Sequence, residues 1–197
     1  MKIVVGLGNP GRQYAATRHN IGYDVIDALS VRLGWTTGPG EFDRLARTKF
    51  DGLVMDGTTA RGSKLLLLKP TTFMNLSGRA VRAAMDFYQV AASDVLIVLD
   101  DLALPCGRLR LRAGGSSGGH NGLNDIQRVL GTDQYPRLRI GIDPPPPNVP
   151  GKAYVLGRFS PEQRQLIDPA IARACDAIVT WVEQGIEPAM NQFNRNE

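Results

Sequence analysis

The chain of 197 residues, 43% of them apolar and 21% charged, is long enough to bury a core and too apolar to be disordered. Its two cysteines, Cys106 and Cys175, lie far apart with no Cys-x-x-Cys pair, which excludes a disulfide framework and a cysteine-based metal site and leaves both as structural thiols. The formal charge is +4, but 20 basic against 13 acidic residues precede residue 160, so the positive field belongs to the body of the protein, and 18 arginines against five lysines suit phosphate recognition.

Lys2 to Leu7 is a β-branched run closed by glycine, the pattern of a buried first strand. It follows Met1 with no signal peptide, and no apolar run is long enough to span a bilayer, so a cytoplasmic protein with no membrane partner is expected. Ile21, Val25, Ile26, Leu29 and Leu33 recur at helical spacing, with Gly34 placed as a C-terminal cap. Residues 42–50 and 52–56 read as a hairpin around Asp51-Gly52, and Lys64 to Lys69 as a core strand stopped by Pro70. A helix is expected from Leu76 to Tyr88, then a buried strand from Val95 to Leu99 that runs into Asp100-Asp101.

Arg108 to Arg112 alternates arginine and leucine, a strand with one basic and one apolar face. Gly114, Gly115, Gly118 and Gly119 make a loop, Leu123 to Leu130 a helix, Arg137 to Ile142 the last clear strand, and Pro144 to Pro147 a turn. Ser160, Pro161 and Gln163 spell a capped helix start, Asp168-Pro169 reads as a restart, and the tail is helical. Strands alternating with helices give an α/β fold: a single three-layer domain over residues 1–197, with a twisted, mixed, largely parallel β-sheet and helices on both faces.

Two motifs fit enzyme signatures literally and fail on context. Gly6-Leu7-Gly8-Asn9-Pro10-Gly11 matches the dinucleotide pattern, but Pro10 interrupts the turn, helical spacing waits until Ile21, and no acidic strand end follows at the right distance. Gly115-Ser116-Ser117-Gly118-Gly119 matches the serine-hydrolase elbow, yet the only later histidine, His120, is three residues away with no acid between. Neither a nicotinamide cofactor nor a serine nucleophile is therefore expected.

Both histidines, His19 and His120, precede asparagine, and either alone suits a hydrogen-bonded structural role. Asp100 distinguishes His19: if the loop after the first strand and the end of the Val95 strand share one sheet edge, the carboxylate orients the imidazole and leaves its other nitrogen to activate water. No His-x-x-x-His or paired-carboxylate signature suggests a metal. Asn9, Asn75 and Asn121 adjoin turns and helix starts, where they could cap helices or supply amides to a carbonyl oxygen. Phe73 and Met74 suit a core or a loop wall against a substrate. Arg108, Arg110 and Arg112, with Arg137 and Arg139, make either a guarded edge strand or a phosphate-tracking stripe.

These motifs together strongly resemble the bacterial-type peptidyl-tRNA hydrolases. The resemblance runs through Val5 to Gly11, Tyr14 to Asn20 (Tyr-Ala-Ala-Thr-Arg-His-Asn), Lys69 to Gly78 (Lys-Pro-Thr-Thr-Phe-Met-Asn-Leu-Ser-Gly), Gly118 to Gly122 and Arg137 to Ile142. It implies hydrolysis of the ester between a peptide and the terminal ribose of tRNA, without a cofactor; a monomer with no obligate protein partner is expected. By that resemblance His19 is the general base and Asp100 holds it, while Asn9 contacts the first peptide unit. Tyr14, Phe73, Asn75 and Asn121 contact substrate, with Asn75 and Asn121 also able to polarise the ester or hold the water, and Met74, on the same loop wall as Phe73, is expected to bind substrate beside them. Arg110, Arg112 and Arg139 meet tRNA phosphates. One departure stands out: where the family has Asp-Glu-Leu-Asp-Leu-Pro, this chain has Asp100-Asp101-Leu102-Ala103-Leu104-Pro105, so Ala103 removes a carboxylate. The competing expectations are a non-catalytic RNA-binding module and, more remotely, a dinucleotide-dependent oxidoreductase.

Overall fold

Ile3, Val4 and Val5 are wholly buried because the first strand, β1 (Lys2–Gly6), runs through the middle of the sheet with both faces covered. A computed structural model describes residues 1–38 and 40–195. The other strands are β2 (Arg47–Lys49), β3 (Gly52–Thr58), β4 (Lys64–Pro70), β5 (Val95–Asp101), β6 (Leu109–Arg112) and β7 (Arg137–Gly141). Their order is β2-β3-β4-β1-β5-β7-β6: β4, β1, β5 and β7 are parallel, and antiparallel pairs close both ends.

One face is covered by α1 (Ile21–Arg32), α6 (Pro161–Gln184) and α7 (Ile186–Phe193), where Val25, Ile178 and Trp181 pack on Val4, Leu67 and Val98. The other is covered by α3 (Ser77–Tyr88) and α4 (Asn121–Leu130), where Val81 and Ile126 meet Val5, Leu68 and Ile97. Two short helices, α2 (Glu41–Leu45) and α5 (Gly151–Val155), complete the set among the described residues. This is the expected mixed α/β sandwich, and the four parallel strands present their carboxyl ends to one edge, where ligands gather in such sheets.

Three local expectations are corrected. Residues 42–45 are helical, because Phe42 buries itself in the core as part of α2, so the hairpin keeps only Arg47–Lys49 as its first strand. Its turn lies at Phe50-Asp51, both at positive φ, while Gly52 belongs to β3, where a Cβ would meet the Lys69 carbonyl oxygen of β4 at 2.7 Å. Asp168-Pro169 does not restart a helix: α6 runs unbroken through Pro169 from the Ser160–Gln163 capping box.

The glycine that ends β1 serves packing. A Cβ on Gly6 would strike the Gly22 carbonyl, so glycine here lets α1 approach β1. Two 3-10 turns, Arg12–Tyr14 and Arg18–Asn20, separate β1 from α1. The helix dipole therefore does not open onto the first turn, which removes the dinucleotide reading. Among the described residues no helix is long and apolar enough to cross a membrane, and both cysteines are free, with burial raising Cys106 and pushing Cys175 up to about 12.

Candidate active site

At the carboxyl edge of the parallel strands lies a cleft of about 830 Å³. β1 leads into the turn carrying Asn9, β4 into the segment carrying Phe73, Met74 and Asn75, and β5 ends in Asp100-Asp101, so residues distant in sequence converge by topology.

His19 sits in the 3-10 turn Arg18–Asn20, tied down on both sides. Thr17 Oγ1 donates to the Tyr14 carbonyl at 2.7 Å, and Arg18 N donates to the Gly157 carbonyl at 2.9 Å. The Arg18 guanidinium lies 4.1 Å from the Tyr154 ring and donates to the Tyr154 carbonyl and to Gln163 Oε1 at 3.1 and 2.7 Å. The ring so placed donates from Nδ1 to Asp100 Oδ1 at 2.8 Å, and its Nε2 has no protein partner among the described residues. The expected His–Asp pairing is thus present in the geometry.

His120 supplies a second bond to the same carboxylate oxygen. Its Nε2 lies 3.1 Å from Asp100 Oδ1, and its Nδ1 accepts from the backbone N–H groups of Gly122 and Leu123 at 3.2 and 3.4 Å. His120 is therefore the N-cap of α4, and Asn121 is not the cap but the first helical residue, its side chain exposed beside the cleft. Burial works to raise the Asp100 carboxyl. The attraction and hydrogen bond of His120, then those of His19, outweigh it and hold Asp100 well below the usual carboxylate range.

One ligand-capable atom each from His19, Asp100 and His120 lie within 4.8 Å of one another, a spacing that a cation could share. The hydrogen bonds argue against that use. Because His120 Nδ1 accepts two backbone N–H bonds, the neutral ring carries its hydrogen on Nε2 and cannot offer that nitrogen to a metal.

Asn9 is buried and its amide orientation follows from its donors. Met74 N donates to Asn9 Oδ1 at 2.8 Å, which leaves Nδ2 as the end available to a ligand in the cleft. Asn20 grips the Asn9 backbone from both sides. Tyr14 and Phe73 meet edge to face at 6.4 Å, and Phe73 remains 53% exposed, so an aromatic wall stands at the cleft with area left for another ring or chain. Met74 is buried and also lines the cleft, serving core and wall together, whereas Asn75 is exposed.

The arginines divide. Arg110 and Arg139 are cross-strand partners on one face of β6 and β7, Arg112 is exposed, and Arg139 forms an ion pair with Asp101 at 2.9 Å while lining the cleft. Arg137 is buried and spends its guanidinium on the carbonyls of Gly115, Ser116, Asp133 and Tyr135, holding the glycine loop. Ala103 is exposed at the cleft, where its N–H donates to Asp101 Oδ1 at 2.9 Å.

Sequence reasoning passed over His120, Asn20 and Arg18 as site residues. His120 immediately before the Leu123 helix pattern was a usable signal, but histidine is not among the favoured caps. Nothing local marked Arg18 as the anchor of α5.

The sequence profile of the family described as peptidyl-tRNA hydrolase matches residues 3–197. A peptidyl-tRNA hydrolase of Caldanaerobacter subterraneus subsp. tengcongensis is 47% identical over 194 residues, covering 98% of this chain and 100% of the relative. One of Geobacillus kaustophilus is also 47% identical, with the same coverage. The crystal structure of peptidyl-tRNA hydrolase from Acinetobacter baumannii superposes with a TM-score of 0.88 at 37% identity, covering 100% of this chain and 96% of the other.

Proposed function

Since the chain belongs to the peptidyl-tRNA hydrolase family and hydrolyses the ester of peptidyl-tRNA, we propose that it does so by water activated at His19, without a metal. The observation that carries this reading is the His19 Nδ1 to Asp100 bond of 2.8 Å with Nε2 left open in the cleft.

In this mechanism His19 Nε2 takes a proton from a water molecule as its oxygen attacks the ester carbonyl carbon. Asp100 stabilises the imidazolium that forms and fixes the tautomer that leaves Nε2 bare. The carbonyl oxygen becomes an oxyanion, met by the amides of Asn75 and Asn121, which also hold the water. Collapse breaks the bond to the ribose oxygen. That oxygen takes the proton back from His19, and peptide acid and tRNA leave. Asn9, through the Nδ2 left free by Met74, binds the first peptide unit and so favours peptidyl-tRNA over unblocked aminoacyl-tRNA. Tyr14, Phe73 and Met74 form the apolar wall. Arg110, Arg112 and Arg139 hold tRNA phosphates, as their shared face suggests. The enzyme acts as a cytoplasmic monomer without an obligate protein partner, since its substrate arises there from translation and one chain carries every group named.

The test is single-turnover release of an N-blocked amino acid from acylated tRNA in EDTA, with His19→Ala alongside. Rapid cleavage by the native enzyme alone is expected. Loss of native cleavage in EDTA that added metal restores would overturn metal independence, and cleavage by His19→Ala would remove His19 as the base.

A further inference from the structure

We infer that His120 is a positioning residue for the hydrolysis, acting as an oriented Nε2–H donor that fixes Asp100 toward His19 and registers the N-terminus of α4 against that pair. The inference rests on the reading of His19 as the base.

Both nitrogens of His120 are committed. Nδ1 accepts the Gly122 and Leu123 N–H groups, and at this helix start those donors have no other partner among the described residues. A hydrogen on Nδ1 would face two backbone hydrogens, so the ring keeps its hydrogen on Nε2, which points at Asp100 Oδ1 at 3.1 Å. His19 is wired in the opposite sense, with its hydrogen on Nδ1 toward the same oxygen at 2.8 Å. The two rings, 5.0 Å apart between centroids, are therefore opposite tautomers converging on one carboxylate oxygen.

This arrangement has two consequences. His120 presents no free nitrogen to substrate, so it cannot replace His19 as a base. Asp100, with its oxygen bound from two directions, is held in the orientation that His19 needs. The α4 cap and the Asp100 bond also belong to a single rigid ring. Asn121, the next residue, is thereby set at a fixed distance from the base, which couples the amide that meets the ester to the group that activates water. Gly122 completes the fit, since a Cβ there would lie 2.7 Å from Met74 Sδ and 3.2 Å from His120 Cε1.

The first experiment is imidazole nitrogen NMR on the native enzyme at neutral pH, with His19→Ala used to assign the two rings. We expect a protonated Nδ1 and bare Nε2 for His19, and a protonated Nε2 with a hydrogen-bonded bare Nδ1 for His120. A protonated Nδ1 on His120 would overturn the inference.

The second uses His120→Asn, whose Oδ1 reproduces the Nδ1 cap but whose amide falls short of Asp100, beside His120→Gln, which extends a donor to the Nε2 position. His120→Asn should lower kcat about tenfold to a hundredfold with KM nearly unchanged, the loss set by one hydrogen bond to a charged group. His120→Gln should recover part of it. Native kcat in His120→Asn, while His19→Ala remains inactive, would overturn the positioning role alone. Native kcat in His19→Ala would overturn the reading beneath it. If either His120 variant does not fold, the native NMR tautomers decide.

Discussion

Asn9 and Asn20 exchange hydrogen bonds in both directions: the Asn9 N–H donates to Asn20 Oδ1 and Asn20 Nδ2 donates to the Asn9 carbonyl, each at 2.9 Å. One side chain thus satisfies both backbone groups of a buried residue and stands in for a sheet partner where β1 has ended. Because Asn20 directly follows His19, the same link ties the amide proposed to read the peptide to the base. Asn20→Ala leaves a buried N–H and C=O unpaired, and a stability loss of about 1–3 kcal/mol is expected. With Asn9 loosened, kcat/KM for an N-blocked substrate should fall by about tenfold, and discrimination against unblocked aminoacyl-tRNA should weaken. Urea unfolding and competition between the two substrates check the two halves. Full discrimination in a destabilised variant would show that Asn20 serves the fold alone.

Asp100→Asn removes the charge that two imidazole donors share. By analogy with other carboxylate–histidine pairs, kcat should drop about 10²- to 10⁴-fold, because the imidazolium loses its stabiliser and the ring its enforced tautomer. In the native enzyme the Asp100 carboxyl lies well below its ordinary value. A depressed carboxyl contributes stability above the unfolded value of about 3.9 and loses it only as pH falls through the lower folded value. The carboxyl's own titration should therefore leave its contribution in place down to about pH 5 and remove it only below about pH 4. Asp100 itself should add no inflection to the pH profile of kcat between 5 and 8. Unfolding curves of native enzyme and Asp100→Asn at pH 5 and 3 check this, and a gap between the two proteins as large at pH 3 as at pH 5 would contradict it.

The fold was legible where local pattern and global position agree. β4 and β5 are apolar runs because the sheet buries them on both faces, and Ser160 with Gln163 caps α6 as the spacing requires. The His19–Asp100 pair was legible because a parallel sheet brings strand ends to one edge. The rest depended on partners remote in sequence. Phe42 is drawn into the core as a helix, which no window over residues 42–50 reveals. Pro169 is tolerated inside α6, and packing of Ile167, Ala170 and Ala174 on the sheet continues across it. Arg137 and Arg139 alternate with Leu138 like a basic stripe, yet only the buried guanidinium at 137 is used up by carbonyls of the glycine loop.

Asp24 opposes Asp100 in sign. It lines a second cavity of about 410 Å³ with Asp27, Asp43 and Lys69, on the far side of Asn9 and Asn20. Burial pushes its carboxyl up to about 6, against the pull of Arg164 at 3.4 Å. A raised carboxyl binds its proton more tightly folded than unfolded, so its contribution falls as pH climbs from about 4 to 6 and stays low above that. Asp24→Asn should stabilise the protein at pH 7.5 by about 1–3 kcal/mol, with the net two-unit shift, in which the pull of Arg164 is already counted, as the upper bound. The gain should vanish near pH 4. Denaturant midpoints of the two proteins at pH 4 and 7.5 test it, and a variant less stable at 7.5 would mean that the Arg164 pair outweighs desolvation.

The basic face separates positioning from chemistry. Arg110 and Arg112 alternate on β6 with the buried Leu109 and Leu111, so their side chains leave the core and replacing them costs little packing. If both meet tRNA phosphates, Arg110→Ala with Arg112→Ala should weaken tRNA binding and reduce the slope of log K against log salt by about 1.5, near 0.7–0.9 for each phosphate no longer neutralised. Single-turnover cleavage at saturating substrate should stay close to native, because neither residue reaches the ester. Arg137→Ala should behave in the opposite way: its guanidinium holds the 115–116 carbonyls, so the loop before His120 should loosen and kcat fall with little change in salt slope. Filter-binding isotherms at several salt concentrations, with single-turnover rates on the same variants, distinguish the two. An unchanged slope in the double variant would return Arg110 and Arg112 to the role of edge-strand guards.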